Sequence, residues 1–122
     1  MDQNKFLTIF RISFFLWFIF VFVISVYPGN IIGLILKGDP STYPGSDKLG
    51  HFLVYFILSF LACLSFDNNK KLNFIIFFLV FFSLIMELLH LFIPNRYYEN
   101  VDLLMNFVGV IFGFFIFQVK KI

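Results

Sequence analysis

Four long apolar runs divide the chain, at about residues 6–26, 49–66, 72–93 and 101–119, and the polar residues collect between them. Each run is close to the roughly 20 residues that carry an α-helix across a bilayer. The pattern therefore predicts an all-α, polytopic membrane protein, a bundle of four transmembrane helices. A short polar turn, Asp67-Asn68-Asn69-Lys70-Lys71, makes the second and third helices antiparallel neighbours. The first run holds a single charge, Arg11, near enough to its start to snorkel to the interface. It is too long for a signal-peptide core and lacks a small-x-small cleavage site before Tyr27, so it reads as a retained helix. Pro28-Gly29, Pro40, Pro44 and Gly45 punctuate the loop from Tyr27 to Gly50. Within it, Ile31 to Leu36 is too short to span and suits the headgroup layer or a lid. There is no internal repeat, and residues 1–122 read as one domain.

Composition strengthens the membrane reading. Apolar residues make up 61% of the 122 residues and charged ones 13%, about half the charged share of a soluble domain. A soluble fold of this size would leave many of its 22 Phe in water. In lipid those rings are solvated, and their abundance is membrane filling more than recognition. Net charge is +2, without a basic cluster, and nucleic acid is not an expected partner. Cys63 is the single cysteine and has no disulfide partner within the chain.

The basic residues set an orientation. Lys5, Arg11, Lys70, Lys71, Lys120 and Lys121 fall on one side of the four-helix arrangement, and Lys37, Lys48 and Arg96 on the other. The positive-inside rule then puts both termini in the cytoplasm and turns the Tyr27–Gly50 and Pro94–Asn100 loops outward.

Polar residues at that outer border would each cost free energy in hydrocarbon, about 2.5–3.5 kcal/mol for a charge at a helix centre, unless paired or wetted. Ser46 suits an N-cap of the second helix, with Asp47 in its first turn. His51 and Tyr55 continue the Asp47 face at i+4 spacings, and Lys48 sits beside it. On the third helix Glu87 and His90 share a face, with Glu87 on the order of 10 Å inside the outer end. The fourth helix opens with Asn100 as the expected N-cap, followed by Asp102 and Asn106 at i+4, then Gly109 and Gly113 in a small-xxx-small face. Ordinary helix packing explains the glycines, and homo-oligomerisation through them is the further option. Two helix N-termini beside Lys48 and Arg96 make an anion site. A simple interfacial clamp of Arg96 on Glu99 or Asp102 is the competing explanation.

Taken in order, Asp47-Lys48-x-x-His51-x-x-x-Tyr55, Glu87-x-x-His90 and Pro94-x-Arg96-x-x-Glu99-x-x-Asp102-x-x-x-Asn106-x-x-Gly109-x-x-x-Gly113 resemble the VanZ-like membrane proteins. The resemblance covers about residues 47–113. It implies a small multi-pass protein of the bacterial inner (cytoplasmic) membrane, with a link to glycopeptide tolerance but no defined activity. His90 stands where that family commonly has Gln, and Glu99 where Asp is common. The first departure matters because His titrates near neutral pH and binds metals, whereas Gln does neither.

The leading expectation is binding or processing of an anionic lipid, or a lipid-linked cell-envelope precursor, at the outer leaflet. Its ligand-binding residues are Asp47, Lys48, His51, Tyr55, Glu87, His90, Arg96, Asp102 and Asn106. An enzymatic alternative uses His51 as a general base oriented by Asp102 or Glu87, giving a hydrolase or transferase, although no Ser or Cys nucleophile has a matching spacing. Asp47 with His51 and Glu87 with His90 offer two carboxylates and two imidazoles. Only one Glu-x-x-His unit of the di-iron type is present, so neither a metal nor another cofactor is expected. The third alternative is structural, with polar pairs that only lock helices together.

Overall fold

A computed structural model describes residues 3–27, 35–36, 38, 48–67, 70–94 and 98–121, with the backbone alone of Gln3, Asn4, Lys48 and Lys121. The expected N-cap Ser46, the apolar patch 31–34 and most of the first loop lie outside the described residues. Among the described residues four long helices form: α1 (Gln3–Val26), α2 (Lys48–Phe66), α3 (Leu72–Leu89) and α4 (Asn100–Lys121). Each contains a stretch long and apolar enough to cross a membrane. Helix is the form that satisfies backbone N–H and C=O groups within a single segment in lipid, so apolar runs of this length adopt it.

The third helix ends at Leu89, short of the expected Ile93. His90, Leu91 and Phe92 donate their N–H groups to the carbonyls three residues back, of Glu87, Leu88 and Leu89. This is the tightening common at helix ends, and Pro94 follows directly. At α4 the cap also differs from expectation. The Glu99 carbonyl accepts the Leu103 N–H, which makes Glu99 the N-cap by position. Asn100 uses its Oδ1 to accept the Tyr98 hydroxyl at 2.7 Å instead.

Helices α2 and α3 lie between α1 and α4, and the most extensive contact joins α2 to α4. The turn between α2 and α3 makes them neighbours, but α3 packs more fully on α4 than on α2. The core holds Val21, Leu58, Leu79 and Val110, all fully buried, with Phe14, Tyr55, Phe82 and Met86 around them. Phe74, Phe77, Phe92 and Phe115 point outward, as expected of rings solvated by lipid. Helix α1 is the most peripheral, with 11% of its span buried against 33% for α2 and for α3. Among the described residues, three side chains tie it in by hydrogen bonds to a backbone carbonyl. Trp17 Nε1–H donates to the Val54 carbonyl at 3.0 Å. Arg11 Nε–H donates to the Ser65 carbonyl at 3.1 Å, with its guanidinium 5.2 Å from the Phe66 ring centroid. The third is His90, described below.

Glycine sets the separation of α2 and α4. A Cβ on Gly109 would lie 2.5 Å from the Phe52 carbonyl oxygen, and one on Gly113 would lie 2.9 Å from that of Phe56. Ser59 Oγ–H then spans the seam to the Val110 carbonyl at 2.7 Å. The small-xxx-small face is thus filled by α2 within the chain, and a homo-oligomer using it would have to displace α2. Gly109→Ala should lower unfolding stability by about 1–3 kcal/mol, the range for overpacking, because its nearest neighbour is backbone. Val108→Ala, on the exposed face next to it, should change it little. Thermal unfolding of both variants in detergent is the check.

Candidate functional site

The end of α1, the start of α2, the end of α3 and the start of α4 come together at one end of the bundle. His51 lies in the first turn of α2 and Asp102 in the first turn of α4. The close α2–α4 approach brings them together. Asn106 lies one turn below Asp102 and accepts at Oδ1 the His51 Nδ1–H, at 3.0 Å. This fixes the tautomer of the neutral ring, with the lone pair on Nε2. His51 Nε2 is 3.7 Å from Asp102 Oδ2, beyond hydrogen-bond range. Side-chain exposure is 18% for His51 and 8% for Asp102, so the ring alone keeps a modest opening outward.

Glu87 and His90, i and i+3 on the end of α3, form the second part. Glu87 is 1% exposed and His90 4%. His90 Nε2–H donates to the Ser25 carbonyl of α1 at 3.1 Å, and Nδ1 faces Glu87 Oε2 at 3.2 Å. With Nε2–H committed to a carbonyl, the Nδ1···Oε2 contact needs one proton between the two atoms. Wherever that proton rests, imidazolium with carboxylate or imidazole with carboxylic acid, the pair is neutral in sum, which is what a buried site in lipid requires. The Glu99 backbone N–H also donates to Oε2, at 3.3 Å. Glu87 Oε1 has no hydrogen-bond partner among the described residues. Tyr55, one turn below His51 and 3% exposed, places its hydroxyl near Ser25 and Glu87 without a hydrogen bond of good geometry there.

Of the residues expected at a ligand site, the structure therefore gathers His51, Tyr55, Glu87, His90, Asp102 and Asn106. Asp47 and Arg96 lie outside the described residues, and Lys48 opens α2 with only its backbone described. Sequence reasoning missed Ser25, whose contribution is a carbonyl from the last turn of α1. Carbonyls there lack an intrahelical donor, and that was the available signal. At the opposite end of the bundle, Arg11, Lys70, Lys71 and Asp67 line a separate cleft with Leu7 and Phe117.

The model of the family described as VanZ/LLP1 matches residues 6–121. The chain belongs to the VanZ/LLP1 family. No curated protein and no solved structure matches it. With four membrane-spanning helices, this VanZ/LLP1 chain is a multi-pass membrane protein. The match includes α1, which lay largely outside the motifs read from the sequence, and α1 supplies the Ser25 carbonyl.

His90 lends itself to a decisive substitution. His90→Leu leaves Glu87 Oε2 with the Glu99 amide alone and should cost about 3 kcal/mol, the lower end for breaking a buried pair from one side. His90→Gln keeps an N–H that can donate to Oε2 and should cost less than about 1 kcal/mol. Denaturant unfolding in detergent measures both.

Proposed function

We propose that this VanZ/LLP1 protein binds or processes an anionic lipid, or a lipid-linked cell-envelope precursor, at the outer leaflet of the bacterial inner membrane. The observation that carries this reading is the convergence of His51, Tyr55, Glu87, His90, Asp102 and Asn106 at one end of the bundle, where α2 and α4 also begin. Helix N-termini favour anions through unpaired N–H groups and the helix dipole. Lys48 and Arg96 lie next to these two helix starts in sequence and supply the cations that hold the anion. Asp47 and Asp102 orient them, and Tyr55 and Asn106 add polar contacts. The distribution of Lys and Arg turns this end outward and leaves both termini cytoplasmic. The family's link to glycopeptide tolerance fits a precursor at this leaflet as ligand.

One observation favours the enzymatic alternative. In the neutral ring His51 Nε2 carries the lone pair and lies 3.7 Å from a carboxylate, the form a general base requires. A nucleophile in that reading would be water.

Lipid co-purification separates binding from scaffolding. Mass spectrometry of wild type should find one class of anionic lipid enriched over the bulk membrane, and Arg96→Ala should lose that enrichment. Equal retention of every anionic lipid by both proteins overturns the reading. Purely structural pairs predict the reverse for His51→Ala, namely unchanged lipid content with stability lower by about 0.6–2 kcal/mol.

A further inference from the structure

One ligand atom from each of His51, Glu87 and Asp102 lies within 4.8 Å of the other two. We propose that these three side chains hold a divalent first-row transition-metal ion, of the Zn²⁺ or Mn²⁺ class. An ion amid three atoms so spaced sits no more than about 2.8 Å from any of them, so closing by about 0.7 Å gives ordinary bond lengths to nitrogen and oxygen. The 3.7 Å between His51 Nε2 and Asp102 Oδ2 is near the roughly 3.4 Å that separates two ligands of one tetrahedral ion.

The orientation of the ring points the same way. Asn106 Oδ1 accepts the Nδ1–H of His51, which aims Nε2 at the Asp102 carboxylate 3.7 Å away. A cation between the two atoms would take both as ligands. A metal-bound imidazole is usually held in this manner, its second N–H donated to an oxygen.

The third ligand shows the same division of labour. Glu87 Oε2 is held by His90 and by the Glu99 N–H, while the side chain is 1% exposed and Oε1 has no hydrogen-bond partner among the described residues. A buried carboxylate fixed at one oxygen and unsatisfied at the other is ready to ligate. An ion of charge +2 also offsets the Asp102 carboxylate in a membrane, where uncompensated charge is costly.

The ligand types choose the class. An imidazole selects against Mg²⁺ and Ca²⁺, which favour all-oxygen sites, and two carboxylates select against thiophilic ions. Three protein ligands leave a coordination position open. That position would accept a phosphate or carboxylate oxygen of the ligand, a role that rests on the lipid reading above, whereas the metal site itself does not. The sequence held a single Glu-x-x-His and gave no metal expectation. The ligands here come one each from α2, α3 and α4, and spacing along one helix cannot reveal such a set.

The test loads full-length protein, purified in detergent and stripped with chelator, with Zn²⁺, Mn²⁺ or Mg²⁺ alone, and measures retained metal by mass spectrometry after gel filtration. Wild type should keep about one Zn²⁺ or Mn²⁺ per chain and no Mg²⁺. Asp102→Asn and His51→Ala should bind at least about tenfold more weakly. Co²⁺ should give visible absorption bands in wild type that His51→Ala alters. Variants are compared only where their metal-free melting temperature matches wild type, and Asp102→Asn, which conserves shape, is the one expected to meet that condition. Substoichiometric Zn²⁺ and Mn²⁺ in wild type, or equal retention by folded Asp102→Asn, overturns the site. Absence of metal with selective anionic lipid still bound removes the metal and leaves the lipid reading. Stoichiometric metal without lipid selectivity supports the site and removes the lipid reading instead.

Discussion

The polar end of this protein depends on how closely α2 and α4 approach. Gly109 and Gly113 have no Cβ, and the backbone of α2 occupies the space one would need. That contact lies one turn and two turns below Asn106, so it fixes the height and rotation at which His51 meets Asn106 and Asp102. In lipid, no hydrophobic effect drives helices together, and close van der Waals packing with a few hydrogen bonds must suffice. The glycines provide the packing and Ser59 to Val110 one of the bonds. A wider seam would separate an imidazole from its partners before it disturbed any apolar residue.

The remaining polar groups are arranged to be neutral in sets. Glu87 and His90 share a proton and form one such set. His51, Asp102 and the unsatisfied oxygen of Glu87 form another, which is balanced only when it includes a cation or a protonated ring. Seen this way, the exchange of Gln for His at position 90 is less radical than its chemistry suggests. What the geometry asks of that residue is a donor to Glu87, and both side chains can provide one. The Ser25 carbonyl and the Glu87 carboxyl occupy the two ring nitrogens of His90.

Much of this was legible in the sequence. Four apolar runs gave four helices because in a bilayer length and hydropathy leave little choice. The i+3 and i+4 spacings correctly put Glu87 with His90, and Asp102 with Asn106, on common faces. The end of α3 was read too far because Leu91 to Ile93 continue the apolar run, and hydropathy does not register the tighter turns that precede Pro94. Asn100 has the composition of a cap, yet Glu99 holds the position, since capping depends on where the first carbonyl bond forms and not on residue type alone. Which helix the Gly109–Gly113 face would meet could not be read at all. A small-residue stripe declares close approach and leaves its partner unspecified.

Four of the bonds that join α1 and α4 to the rest have one property in common. In each, a side chain of one helix donates to a backbone carbonyl of another: Arg11 to Ser65, Trp17 to Val54, Ser59 to Val110 and His90 to Ser25. A carbonyl belongs to every residue, so no substitution at the accepting position deletes it. Residue-by-residue scanning would therefore register the donors and pass over the acceptors, and α1 would look uninvolved at Ser25 although its backbone closes the site.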